Sequence, residues 1–236
     1  MSVRLLLGAL CAALLLSGCA GPASPAAAPA TAEAAEAAAF HGVEPQPVPG
    51  RPDFVLRTTE GTPYDFQAET AGRPTLLYFG YTNCPDECPT AMADIAAALR
   101  STPAELRAEV EVVFVTTDPE RDAPPVLRRW LDGFSQDYVG LVGTQAEVDA
   151  AQEATGIAPA GREGPIPTLP GRPDEHEHKP GTAAHDHAGP LGYGVGHANV
   201  IFAFDTSDRL PVLYPGGVRP SDIAADLALL AQGATP

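Results

Sequence analysis

Apolar residues fall into short runs separated by Gly, Pro and acidic residues, and the period of the runs changes along the chain. Asp53-Phe-Val-Leu-Arg-Thr-Thr59 and Thr62-Pro-Tyr-Asp-Phe66 flank Glu60-Gly61, which predicts a β-hairpin. Thr75-Leu-Leu-Tyr-Phe79 is unbroken apolar sequence between Pro74 and Gly80, the pattern of a central strand buried on both faces. Glu111-Val-Val-Phe-Val-Thr-Thr117 repeats it. Between them, Thr90–Leu99 is Ala-rich and predicts a helix. Pro124–Phe134 is amphipathic, with Val126, Leu127, Trp130, Leu131 and Phe134 on one side and proline at its start. Thr144–Ala154 opens on a capping residue and predicts another helix. Asn199-Val-Ile-Phe-Ala-Phe204 and Leu210-Pro-Val-Leu-Tyr214 flank Ser207-Asp208 as a second hairpin, and Pro220–Gln232 closes the pattern as a helix. Strands alternating with helices, then a hairpin and a last helix, predict an α/β fold with a partly parallel sheet.

Composition sharpens where the fold lies. The 236 residues suit one domain rather than two. Glycine and proline, 23 and 26, make up about a fifth of the chain, just under the level that signals disorder throughout. The aromatics fall only in Phe40–Tyr138 and Tyr193–Tyr214, so order is expected there and not between. The formal charge is −16 and Lys179 is the only lysine. A nucleic-acid partner is excluded, because no basic stripe exists to displace counterions from phosphates.

The N-terminus reads as a targeting segment. Arg4 precedes the apolar stretch Leu5–Leu16, too short for an ordinary membrane span, and Leu16-Ser17-Gly18-Cys19 follows. This resembles the bacterial lipobox, in which the cysteine is lipidated. Residues 1–18 are therefore expected to be a lipoprotein signal peptide, with Cys19 as the lipidation site. Residues 19–46, rich in Ala and Pro, are expected to be a tether, with His41 solvated near its end. The folded domain is expected over 47–234, with a flexible insertion at 157–192. The chain would then lie outside the cytoplasm, anchored by lipid to the bacterial cell membrane.

Cys84 and Cys88 are the thiols left to the domain. They lie in Gly80-Tyr-Thr-Asn-Cys84-Pro-Asp-Glu-Cys88-Pro-Thr90, just after the first buried strand, at the sheet edge where open α/β folds place their sites. A spacing of four puts both sulfurs on one face of a helix, whose N-terminus favours thiolate. Such a pair can form a structural disulfide, cycle as a redox couple, or hold a soft metal. Three intervening residues, where thioredoxin-type redox sites have two, weigh toward the metal. Asp118, in Thr117-Asp-Pro-Glu-Arg-Asp122, falls at the same edge, though taken alone it reads first as turn and helix-entry chemistry before Pro124. The element order matches a thioredoxin-like fold. In that fold the strand at 199–204 runs antiparallel to the central pair, which would bring His197 to the two thiols.

These motifs together resemble the Sco/SenC family of thioredoxin-like, copper-binding assembly factors for cytochrome c oxidase. The resemblance rests on Tyr78–Thr90, Thr117–Asp122, Trp130–Phe134, Val139-Gly-Leu-Val-Gly-Thr144 and Gly196-His-Ala-Asn-Val-Ile201. It implies copper, as Cu(I) or Cu(II), held by Cys84, Cys88 and His197, with Asp118 in support. It implies delivery of that copper to the binuclear copper A site of oxidase subunit II, alongside other extracytoplasmic copper chaperones. The alternative is an enzyme, a thiol–disulfide reductase in which Cys84 and Cys88 reduce the cysteines of that site. Asn83 stands where the family often has His or Ser. The stretch 157–192 is longer than the family usual and carries His176, His178, His185 and His187, which read first as part of a solvated insertion and alternatively as an auxiliary metal-collecting tract.

Overall fold

The computed structural model describes residues 39–165 and 193–233. Cys19, His176, His178, His185 and His187 lie outside the described residues. The elements in chain order are β1 (Val55–Thr58), β2 (Pro63–Asp65), α1 (Phe66–Thr70), β3 (Thr75–Gly80), α2 (Glu87–Ser101), α3 (Ala104–Glu109) and β4 (Glu111–Thr116). Then come α4 (Pro124–Leu131), β5 (Val139–Val142), α5 (Gln145–Ala154), β6 (Gly161–Pro165), β7 (Tyr193–Gly196), β8 (Val200–Phe204), β9 (Val212–Pro215) and α6 (Pro220–Gln232).

One sheet has the order β2-β1-β5-β4-β3-β8-β9. The central strands β5, β4 and β3 run parallel, while β1 and β8 are antiparallel to their central neighbours. This is the thioredoxin-like α/β arrangement expected from the sequence. All six residues of β3 are buried, because both faces are covered. Leu76 and Tyr78 point into a core shared with Ile95 of α2, Leu127 of α4 and Leu227 of α6. Leu77 and Phe79 point to the other side, against Phe66 and Val148 of α5.

Several boundaries differ from the sequence pattern. Helix α2 starts at Glu87, three residues before Thr90, because Pro89 sits in the first turn, where a missing N–H costs nothing. Cys88 is thereby helical. Helix α4 ends at Leu131, and the N–H groups of Phe134 and Ser135 close the turn onto the Leu131 carbonyl. Leu127 and Leu131 are its buried residues, whereas Val126, expected on the same side, is 39% exposed in the first turn. Helix α3 has no buried residue and hence left no apolar stripe to read. Strand β6 lies within 157–192 and pairs antiparallel with β7 in a second, two-stranded sheet, so the start of the stretch expected to be flexible is strand.

The N-terminal boundary also moves. Residues from Phe40 onward, expected to be tether, pack on the domain. Phe40 is buried, and Val43 exchanges two backbone hydrogen bonds with Leu213, both 2.8 Å. A Cβ at Gly42 would collide with the Leu213 carbonyl, so only glycine admits this approach. His41 is not merely solvated. Its backbone N–H and Nδ1 meet the two carboxylate oxygens of fully buried Asp226 at 2.8 and 2.6 Å, and the Tyr214 hydroxyl donates to Asp226 at 2.9 Å. The Asp226 contact raises the His41 pKa above 6.5. A raised histidine pKa adds stability that is present below the unfolded value and lost as pH rises through the folded one. The His41 contribution to the melting temperature should therefore fall as pH is raised past this range. His41→Ala should erase that part of the pH profile while Gln46→Ala leaves it intact, as calorimetry across pH would show.

Candidate metal centre

The carboxyl ends of β3 and β4 build the site. Strand β3 ends at Gly80, where a Cβ would stand 2.8 Å from Cys88 Sγ, so a side chain there would push into the sulfur. The loop to α2 is held by Asp122, which is fully buried. Its carboxylate accepts from Thr82 N at 2.9 Å, Thr82 Oγ1 at 2.5 Å and Thr116 Oγ1 at 2.7 Å. Burial pushes its carboxyl above 3.8, outweighing the three hydrogen bonds that favour the anion. The loop is thus pinned to the end of β4 two residues before Cys84.

Cys84 is half-buried and Cys88 fully buried, and both are free thiols. The Cys88 backbone N–H donates to Cys84 Sγ at 3.4 Å, as a helix N-terminus does for an anion. His197 lies between β7 and β8. Because β8 runs antiparallel to β3, with Ile201 opposite Tyr78, its start falls at the edge where β3 ends. His197 Nε2 is 3.2 Å from Cys88 Sγ, although 109 residues separate them. Its Nδ1 lies 3.2 Å from the Ala198 carbonyl, which leaves Nε2 facing the sulfurs, a donor to thiolate when protonated and a ligand when not. The Tyr78 and Tyr81 rings meet the imidazole edge-on at 6.0 and 5.7 Å and fix its orientation. Tyr78 in turn donates to Asn199 Oδ1 at 3.0 Å.

The ligand atoms of Cys84, Cys88 and His197 lie within 4.8 Å of one another, the one such group of three found among the described residues. Two sulfurs and one imidazole nitrogen make a soft, three-donor set suited to a thiophilic ion such as Cu(I). The same two sulfurs can close to a disulfide.

Electrostatics favour one thiolate. The Cys88 thiol donates to Cys84, and with His197 and the backbone N–H groups of Cys88 and Asp86 it holds Cys84 well below its ordinary 9.0. Cys88 moves the opposite way, because its proton is bound to Cys84 and its sulfur is buried. Burial pushes His197 down, but the Cys84 contact and the Ala198 carbonyl outweigh it, and the net shift is upward from 6.5. A depressed thiol pKa adds stability above the unfolded value, lost as pH falls through the folded one. Cys84 alkylation should therefore stay nearly flat between about pH 5 and 8, where an ordinary thiol slows about tenfold per unit. A tenfold-per-unit decline measured by mass spectrometry would contradict the assignment.

Asp118 is buried and does not join this group. Its carboxylate is ion-paired with Arg121 and accepts from the Tyr193 hydroxyl at 2.8 Å. Arg121 lies over the Tyr193 ring at 3.9 Å and donates to the Tyr193 carbonyl at 2.9 Å. Asp118 thus fixes β7, which leads directly into His197. Sequence reasoning gave no role to Tyr78, Tyr81, Asp122 or Asn199. All four stood inside the quoted motifs, but only their contacts distinguish them from core.

A thioredoxin-like sheet with two free thiols and an imidazole converging at its carboxyl edge defines a thiol-based metal or redox protein. The SCO1/SenC family profile matches residues 43–168, just over half of the sequence, and the chain belongs to the SCO1/SenC family. Protein SenC of Rhodobacter capsulatus is 40% identical over 105 residues, 44% of this chain and 46% of SenC. The matched region spans about half the length of the curated relatives. The structure of Bradyrhizobium japonicum ScoI with copper bound superposes with a TM-score of 0.57 at 27% identity, covering 77% of this chain and 99% of that one. BsSco, a Sco-family cytochrome c oxidase assembly protein with a disulfide switch, gives a TM-score of 0.54 over 80% of this chain and 98% of its own. At 16% identity that likeness is one of fold.

Proposed function

We propose that the chain is a copper chaperone tethered outside the cytoplasm through a lipid on Cys19, delivering copper to the binuclear copper A site of cytochrome c oxidase subunit II. Cys84 and Cys88 hold Cu(I) as thiolates, and His197 completes the set, mattering most for Cu(II). The single observation that carries the reading is the convergence of those three ligand atoms within 4.8 Å at the carboxyl edge of the sheet. Family membership and the copper-bound ScoI relative support copper as the cargo. Binding displaces the Cys88 proton and any proton on His197. Acceptor thiolates then replace Cys84, the more accessible sulfur, and afterwards Cys88, by exchange through shared coordination. The test is transfer from the Cu(I)-loaded chain to apo subunit II domain, followed by the copper A absorption bands; a loaded chain that retains its copper beside an equimolar reduced acceptor would sink the reading.

A second reading is favoured by the Cys84 thiolate beside the Cys88 thiol. The Cys84 thiolate attacks a disulfide in subunit II and forms a mixed disulfide. Cys88 loses its proton and resolves it, so two electrons pass to the partner and a Cys84–Cys88 disulfide remains. Exchange with an oxidised subunit II peptide, with and without copper, separates the two readings.

A further inference from the structure

Beside the metal centre a groove of about 180 Å³ opens between the start of α2, the start of β8 and the end of β9. Its floor is apolar and includes Ile201, Tyr214 and Val218. Its rim is acidic, formed by Asp86, Glu87 and Asp94. None of these three enters an ion pair among the described residues. Asp86 stands at the N-cap of α2, yet its side chain makes no cap hydrogen bond, so its carboxylate is left for another donor. Partial burial pushes the Asp94 carboxyl above 3.8 with no cation to offset it. A long aliphatic stem ending in a cation matches both features, its stem on the floor and its head among the carboxylates.

Position gives the groove its meaning. Glu87 precedes Cys88, and Asn199, two residues after His197, also lines the groove. A side chain seated there lies beside the helix start that carries Cys88. A second copy of this chain, itself carrying −16, would be repelled from an acidic rim.

We infer that this groove docks a Lys or Arg side chain, flanked by an apolar residue, on the protein that exchanges metal with Cys84, Cys88 and His197. The inference rests on the chaperone reading for the nature of that protein, but the groove can be tested without it.

In the first arm the copper-free full chain, labelled with ¹⁵N, is titrated with acetyl-Leu-Arg-Leu-amide at low salt. Amide shifts are expected at Asp94, Ile201 and Val218. They should vanish in Asp94→Lys, weaken in Asp94→Asn, and fade near 1 M salt, where the screening length shrinks to about 3 Å. In the second arm, copper transfer to apo subunit II domain is compared in the wild type and Asp94→Lys, with Cu(I) affinity measured for both. Transfer roughly tenfold slower at unchanged affinity supports the inference, since removing complementary charge chiefly lowers association rates. Absent peptide shifts in the groove, or equal transfer rates, overturn it. Concentration-dependent dimerisation abolished by Asp94→Lys would give the groove to a second copy and also overturn it. Peptide shifts confined to the groove without any wild-type transfer would support the docking site and sink subunit II as the acceptor.

Discussion

Cys88→Ser and Cys84→Ser are each expected to abolish high-affinity Cu(I) binding. Losing an outer-shell partner typically lowers metal affinity about 10–100-fold, and losing one of two thiolates from a three-donor set should cost more than that. Serine keeps nearly the same volume but offers a neutral hydroxyl that a soft ion binds poorly. The two variants should differ in a second way. Cys88 is fully buried and its thiol is the donor that holds Cys84 as thiolate. In Cys88→Ser the hydroxyl can still donate, so Cys84 stays reactive. In Cys84→Ser the remaining thiol keeps its proton, because burial raises it. Competition with a Cu(I)-specific chromophoric chelator measures the affinity, and iodoacetamide labelling reads the residual thiol. Wild-type affinity in either variant would remove the cysteines from the site.

Asp122→Ala is expected to be the most damaging change among residues that touch no metal. It strands Thr82 N, Thr82 Oγ1 and Thr116 Oγ1 in a region where Asp122 and Thr116 have no solvent exposure. Each hydrogen bond to a charged group contributes about 1.5–3 kcal/mol, so the loss should reach about 3 kcal/mol or more. For a domain of this size that corresponds to a fall in melting temperature of about 6–12 °C. The loop two residues before Cys84 then loses its anchor, and copper affinity should drop although no ligand has changed. Asp122→Asn, which retains an acceptor, should lose less on both counts. An alanine variant with native melting and native copper affinity would refute the anchoring role.

The legible part of this molecule was the part governed by pattern. β3 and β4 announced themselves as unbroken apolar runs because both their faces are covered. Thr144 and Glu147 form the capping box that begins α5, a signal carried in four residues of sequence. Cys84, Cys88 and His197 were readable together because strand direction alone brings position 197 to the end of β3. What escaped was set by contacts between distant residues. Arg51 shows no pattern, yet it is buried and donates to Thr70 Oγ1 at 2.8 Å and to the Asp205 carbonyl at 2.9 Å. His41 sat in Ala- and Pro-rich sequence and read as solvent-facing, but the partner that holds it is 185 residues away. Asp118 read as a turn or a ligand helper; its carboxylate instead ties Arg121 and Tyr193, fixing the strand before His197.

The roles follow from that geometry. Pinned strand ends hold Cys84, Cys88 and His197 in place, so little rearrangement is needed when an ion arrives. On the proposed chaperone reading, partial exposure of Cys84 beside buried Cys88 would give an order to ligand exchange, the outer sulfur leaving first. The acidic groove next to it would hold the acceptor in register for that exchange.

X-ray absorption at the copper edge tests the ligand assignment most directly, on Cu(I)- and Cu(II)-loaded chain with His197→Ala alongside. The account predicts two sulfur scatterers in both wild-type forms, with an imidazole nitrogen in the Cu(II) form that is lost in His197→Ala. Copper bound without sulfur, or a Cu(II) spectrum unaltered in His197→Ala, would contradict it.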